Sequence, residues 1–190
     1  MGNQSSNTSP QLVMYLESLH NLPALNIPEG YELRSFIPGD EKEWENIINA
    51  SFRYQSDFVK EIISKEYFKP ERVKFICWGN KPVATATAWE SKDYSKEAGY
   101  LHMVGVLPEY TGKKLGYHVS LAALYEMASE GKKSAVLQTD DFRIPAIKTY
   151  WNLGFKPMLV HENQVKRWND ISVKLNLPEL ANALIMDKLV

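Results

Sequence analysis

The feature that most constrains this chain is one continuous stretch, residues 100–155. It opens with an apolar run, Tyr100-Leu101-His102-Met103-Val104-Gly105-Val106-Leu107, closed by Pro108. The loop Glu109–Gly116 follows, with glycines at 112 and 116 and lysines at 113 and 114. Over 116–129 the pattern turns helical, with Val119, Ala123, Leu124, Met127 and Ala128 on one stripe. A strand that runs through a glycine-containing basic loop into a helix start builds an anion site. The first N–H groups of a helix lack internal acceptors, and the helix dipole favours negative charge there. Gly112 and Gly116 let the backbone approach a phosphate. The two familiar phosphate loops do not fit: Tyr117 and His118 follow Gly116, and there is no Gly-x-Gly-x-x-Gly run. Taken alone, the loop would equally suit a plain turn.

The rest of the chain predicts a mixed sheet. Tyr31–Phe36 alternates and reads as a first strand, ended by Pro38-Gly39-Asp40. Asp40 and Glu43 are spaced as a capping box, and Trp44, Ile47, Ile48 and Phe52 then recur at helical spacing. A second helix is expected within 55–66. Val73–Trp78, the turn Gly79-Asn80 and Pro82–Trp89 form a hairpin. After the helix at 116–129 come a strand at 134–138, a helix at 144–153 ended by Gly154, and a strand at 155–160. Strands first, then strand and helix in alternation, imply an α/β (α+β) fold with helices on the faces of the sheet. Three segments are expected: a flexible arm with a short helix at 1–28, the main domain at 29–160, and a C-terminal part at 161–190 packing on that domain. The last contains a helix over about 162–175, and periodicity leaves 183–190 open between strand and helix.

Composition narrows the partners. Lys and Arg number 22 against 23 Asp and Glu, so the net charge of −1 gives no reason to expect nucleic acid. The single cysteine, Cys77, forms no internal disulfide and rules out a cysteine-based zinc cluster; no metal is expected. No apolar run approaches the roughly 18–20 residues of a membrane helix, and no secretory leader is visible, so a cytoplasmic protein is expected. Met1-Gly2-Asn3-Gln4-Ser5-Ser6 matches an N-myristoylation pattern, but the same residues read as a polar, disordered start, and no membrane partner is expected.

Three runs together carry a family resemblance. Val104–Tyr110 followed by Thr111-Gly112-Lys113-Lys114-Leu115-Gly116 resembles the acetyl-CoA motif of the GNAT superfamily of N-acetyltransferases. Ala135–Asp140 resembles the strand that follows it there. Ala146-Ile147-Lys148-Thr149-Tyr150-Trp151-Asn152-Leu153-Gly154-Phe155 resembles the family's next helix. The likeness covers about 31–160 and implies a mostly antiparallel central sheet. Tyr31-Glu32-Leu33-Arg34, Pro38-Gly39-Asp40, Thr139–Arg143 and His161-Glu162-Asn163 near Arg167-Trp168 are similar to mycothiol-synthase-like members. There are departures. Thr111 stands where the family usually has Arg or Gln, Lys114 replaces its middle Gly, and Arg143 replaces a frequent Asn. If Lys114 adopts a positive φ, it does so at a cost that Gly avoids, and its charge meeting a phosphate would offset that cost.

The resemblance implies direct acetyl transfer from acetyl-CoA to a primary amine of a small molecule or peptide, by a monomer or homodimer. It implies that Val104, Gly105 and Val106 offer backbone groups to the pantetheine and thioester. It also implies that Thr111, Gly112, Lys113, Lys114, Leu115, Gly116 and Tyr117 hold the pyrophosphate, with Arg143 at the cofactor as well. Tyr150 aligns with the tyrosine that protonates the leaving thiolate, where the alternative is an aromatic that only packs. Alternation puts His102 on one strand face with Tyr100, Val104 and Val106, which makes it a candidate base; equally it is a packed histidine. Glu90 is the next candidate base, or else a solvated charge. Asp140 and Asp141 are candidates for holding a cationic acceptor, or for capping the next helix. The rivals are a non-catalytic acyl-CoA sensor on the same fold and a plain binding module.

Overall fold

The computed structural model describes residues 10–52 and 54–186, so the expected lipidation at Gly2 and the disordered start lie outside the described residues. The strands are β1 (Leu12–Leu16), β2 (Tyr31–Ser35), β3 (Val73–Trp78), β4 (Lys81–Trp89), β5 (Ala98–Val106), β6 (Ser134–Thr139), β7 (Lys156–Leu159) and β8 (Ile185–Met186). The helices are α1 (Glu41–Phe52), α2 (Leu115–Ser129), α3 (Ile144–Asn152), α4 (Gln164–Leu175) and α5 (Pro178–Asn182). The strands form one sheet in the order β2-β3-β4-β5-β6-β1-β7-β8. Only the pairs β5–β6 and β7–β8 are parallel. The expected mixed, mostly antiparallel sheet is therefore present.

Helices cover both faces, as two neighbouring residues of β5 show. A Cβ on Gly105 would lie 2.8 Å from Ser51 Oγ and 3.0 Å from Ile47 Cγ2, both on α1. Val106 instead reaches α2, its Cγ2 lying 3.5 Å from where a Gly116 Cβ would sit. Successive strand residues point to opposite faces, so α1 and α2 sandwich the sheet. Trp44, Ile47 and Ile48 of α1 and Val119, Leu121, Ala123 and Leu124 of α2 are fully buried against it.

Two expectations fail and a third is met in an unusual form. The short helix expected in 11–28 is β1, placed inside the sheet between β6 and β7 and antiparallel to both. Its residues Leu12, Val13, Met14 and Leu16 are buried on both faces, as a central strand requires. An apolar run of five residues fits a buried strand and a helix segment alike, so periodicity could not separate them. Residues 12–16 are therefore part of the sheet. The helix expected in 55–66 is a π-helical turn, Val59–Ile63, where Ser64 N–H donates to Val59 C=O. The capping box takes another form: the Asp40 carboxylate turns back to the Arg34 guanidinium (2.8 Å) and Ile37 N–H (2.9 Å), and Glu41 accepts from Gly39 N–H. The open choice at 183–190 resolves to strand at Ile185–Met186, beside β7; residues 187–190 lie outside the described residues.

Candidate active site

The site arises where β5 and β6 part. Their parallel ladder covers only Ala98–Tyr100 against Ser134–Val136, while β5 stays paired with β4 as far as Val106. A parallel pair that stops early leaves an open edge on β5, with backbone groups that no sheet neighbour satisfies. A cavity of about 750 Å³ fills the opening. Val104, Gly105 and Val106 form one wall, and Pro145, Ala146, Thr149 and Tyr150 of α3 form the other. Thr111, Gly112, Lys114, Leu115, Gly116 and Tyr117 close its end at the start of α2. The first α2 hydrogen bond is His118 N–H to Lys114 C=O, and no side chain caps that end. The N–H groups before it face the cavity end with no intrahelical acceptor. Lys114 has φ 59° and ψ 16°, the left-handed conformation that its departure from Gly made costly.

A smaller cavity of about 190 Å³ meets the first at Val104, Arg143 and Tyr150. His102, Asp140 and Gln138 line it, with Gln11 just before β1 and Phe52 at the end of α1. Tyr150 therefore stands at the seam. Its ring is buried, and burial raises its phenol to about 12, opposed only in part by the Arg143 charge. It stays protonated across the working range of pH.

His102 shares this region, but not by the expected alternation. Thr85 pairs with Gly105 while Thr87 pairs with His102, so β5 carries one extra residue between them. Met103, at φ 48°, marks the bulge. Cross-strand partners share a face, and Thr85 and Thr87 lie two apart on β4, so His102 faces the α1 side with Gly105. Val104 and Val106 face the other way, which corrects the expectation that all lie on one face. His102 stacks on Trp89 at 6.1 Å, and burial lowers its imidazole to about 4. It is neutral at neutral pH.

Three other candidates sit differently from expectation. Glu90 lines neither cavity; it is paired with Arg72 (2.6 Å) and Lys132 (3.0 Å). Burial raises its carboxyl, and those two partners outweigh burial and lower it, so it holds its charge as part of an ion network. Lys113 also lies off the cavity: its ammonium donates to Tyr31 Oη (3.0 Å) and sits 5.2 Å from the Tyr110 ring centre. Val106 N–H already donates to Ser51 Oγ (3.1 Å), so this group of the open edge is taken. Sequence reasoning missed Ser51, whose hydroxyl donates to Ile47 C=O within α1 and gives no motif. Gln11 was missed for the same reason as β1. Among the described residues, no group of three or more His, Cys, Asp or Glu is placed to hold a metal ion.

A split parallel pair opening onto an uncapped, glycine-bearing helix start defines a class. The model of the Acetyltransferase (GNAT) family matches residues 41–155, and the chain belongs to that family. Mycothiol acetyltransferase from Renibacterium salmoninarum is 26% identical over 158 residues, which cover 76% of this chain and 46% of that protein. Mycothiol acetyltransferase from Thermobispora bispora is 29% identical over 145 residues, covering 70% and 49%. The chain thus spans about half the length of these curated relatives. Among solved structures, a GCN5-related N-acetyltransferase from Sphaerobacter thermophilus superposes with a TM-score of 0.59 at 21% identity, covering 78% of this chain and 49% of that one. The ribosomal-protein-S18-alanine N-acetyltransferase from Escherichia coli superposes with a TM-score of 0.53 at 18% identity, covering 65% and 76%. These likenesses establish the fold. Among the described residues no helix is long and apolar enough to cross a membrane.

Proposed function

We propose that this chain moves an acetyl group from acetyl-CoA directly to a primary amine. The observation that carries the reading is the seam: the larger cavity runs from the α2 start to Tyr150, and the smaller one meets it there. A pantetheine chain along the open edge of β5 would deliver its thioester to that seam from one side. An amine would enter from the other.

In this reading the free N–H groups before His118 bind the pyrophosphate, with Lys114 beside them. The Val104 N–H polarises the thioester carbonyl, an oxyanion-type contact that strengthens as charge develops. The acceptor nitrogen attacks the carbonyl carbon, the C–N bond forms and the C–S bond breaks. His102 takes a proton from the attacking nitrogen, which becomes strongly acidic once it bonds to carbon; a base near 4 can act only at that stage. Tyr150 gives its proton to the departing thiolate. Acceptor ammonium and acetyl-CoA thus become acetamide, CoA thiol and one proton released to solvent.

Binding is tested by heat denaturation with acetyl-CoA. A ligand at about 100 times its Kd raises stability by about 2.7 kcal/mol. Gly116→Val sharpens the test. Gly116 has an ordinary φ, and a Cβ there would meet only Val106 Cγ2, at 3.5 Å, so the backbone accepts a side chain and the fold of the variant is checked by its thermal midpoint without ligand. It adds bulk at the helix start, where in this reading the pyrophosphate would approach. The expected loss is roughly 1–3 kcal/mol of binding, or roughly 5- to 150-fold in Kd. Unchanged affinity in a folded Gly116→Val protein places the cofactor elsewhere.

A further inference from the structure

The smaller cavity contains an uneven set of charges and unused polar groups. Among the residues lining it, Asp140 and Arg143 carry charge, and His102 is neutral. The Arg143 guanidinium lies flat on the Phe52 ring, 3.6 Å from its centre, with its side chain 16% exposed. Its Nε stands 3.5 Å from Asp140 Oδ2, a long ion-pair distance, and makes no hydrogen bond despite its burial. The Asp140 Oδ1 accepts from Gln11 Nε2 at 3.1 Å, so β1 fixes the carboxylate from the far side. Thr139, 3% exposed and lining the same cavity, has a buried Oγ1 with no partner. A buried guanidinium N–H and a buried hydroxyl left unpaired each cost free energy that a bound polar ligand would recover.

We propose that the acceptor is a free α-amino acid, with its ammonium held by Asp140 and its carboxylate by Arg143. This rests on the acetyl-transfer reading and names the substrate class for the same site. Both charges of the cavity are complementary to a zwitterion. A simple amine would leave Arg143 facing an apolar group, and a simple acid would leave Asp140 so. Asp140 and Arg143 are close neighbours, which suits groups separated by one carbon rather than the ends of a long chain. The volume, about 190 Å³, equals about six waters at ~30 Å³ each, room for a compact head group. Asp140 shares the cavity with His102 and Tyr150, so an ammonium held there is beside the groups assigned to the transfer. It loses one proton before attack and a second as the amide forms; one is matched by protonation of the thiolate, and one goes to solvent.

The test uses the full chain, acetyl-CoA and thiol release. Substrates are the proteinogenic α-amino acids, each paired with its decarboxylated amine and its methyl ester. The expected result is turnover with at least one amino acid, and kcat/KM lower by about 10- to 100-fold for the paired amine and ester, the size of one charge-assisted contact. Arg143→Gln should raise KM for that amino acid by a similar factor and that of its amine partner much less; because Arg143 also lines the larger cavity, the KM for acetyl-CoA is read in parallel, and the amino-acid effect should exceed any change in it; Arg143→Lys should restore part of the loss. Equal turnover of acid, amine and ester overturns the zwitterion assignment and leaves acetyl transfer standing, as does an Arg143→Gln effect confined to acetyl-CoA. Turnover of no amino acid by a chain that acetyl-CoA protects against heat overturns the assignment alone. Absence of any acetyl-CoA protection overturns both.

Discussion

The two cavities are built in opposite ways. The larger one draws most of its walls from two short runs of chain, 104–117 and 143–150, in which neighbours in sequence are neighbours in space, with Ala50 and Ser51 of α1 added. It offers main-chain features: an open strand edge, a helix start and a left-handed residue at 114. The smaller one is assembled from residues just before β1, on α1, β5 and β6, and in the turn before α3. Backbone cradles tolerate much variation in side chain, because the N–H groups are common to all residues. Side-chain pockets do not, because each charge and hydroxyl comes from a separate position.

The seam residue tests the comparison most sharply, because Tyr150 belongs to both cavities. Tyr150→Phe keeps the ring against Phe155 and removes only the hydroxyl. A general acid contributes typically about 10²- to 10⁴-fold, so turnover should fall by that factor while acetyl-CoA affinity stays within about twofold. The wild-type phenol, raised to about 12, should give no basic limb below that pH. Single-turnover kinetics with a verified acceptor settle the point: a wild-type chemical step in Tyr150→Phe removes the acid from this position.

How legible each region was in the sequence follows the same division. The cradle could be read because a strand, a Gly-Lys loop and a helical stripe are local patterns, and the Lys114 conformation followed from one missing glycine. Tyr150 was legible through its helix, since Ala146 to Phe155 is continuous. The pocket was mostly hidden. Gln11 depends on β1 entering the sheet between strands more than a hundred residues later, and no local signal specifies that pairing. The bulge at Met103 is also silent, because a methionine in the left-handed region leaves no compositional mark, and strict alternation assigned His102 to the wrong face. Glu90 looked available at a strand end. Its capture by Arg72 and Lys132 depends on residues 18 and 42 positions away. Lys113 looked like a phosphate ligand, and the distant Tyr31 draws it aside.

His102 gives the next test, on the pocket side. Burial lowers it from 6.5 to about 4, and its neutral form is the one that accepts a proton. A rate limb from this group therefore falls as pH drops through about 4, well below the position of an exposed histidine. Any limb nearer 8–10 belongs to the acceptor amine. His102→Gln should cost roughly 10²-fold in turnover, the lower end for a general base, and should abolish the limb near 4. Linkage provides a second reading. Between 6.5 and about 4 the unfolded chain binds the proton and the folded chain does not, so His102 makes stability fall with falling pH in that window. His102→Gln should flatten that part of the stability curve. Survival of both the kinetic limb and the stability slope would remove His102 from the mechanism.

Lys114 gives the smallest effect and returns to the cradle. The residue has two consequences of opposite sign. Its left-handed backbone is a strain of about 1–2 kcal/mol for an ordinary side chain, whereas its ammonium lies at the start of α2, where an anion is to bind. Asn tolerates that backbone better than Lys does and carries no charge. Lys114→Asn should therefore leave thermal stability unchanged or slightly raised. One solvent-facing charge near a helix start is worth about 0.3–1 kcal/mol, so acetyl-CoA affinity should fall by roughly two- to fivefold. The loss should shrink as salt is raised from 50 to 500 mM, since screening removes what the lysine supplied. Acceptor KM should not change, because Lys114 lines the larger cavity and not the smaller. A drop in stability with no salt-dependent loss of affinity would mean that Lys114 shapes the loop and contributes no charge to the phosphates. The cradle would then be a purely main-chain device, and the contrast with the side-chain pocket would be complete.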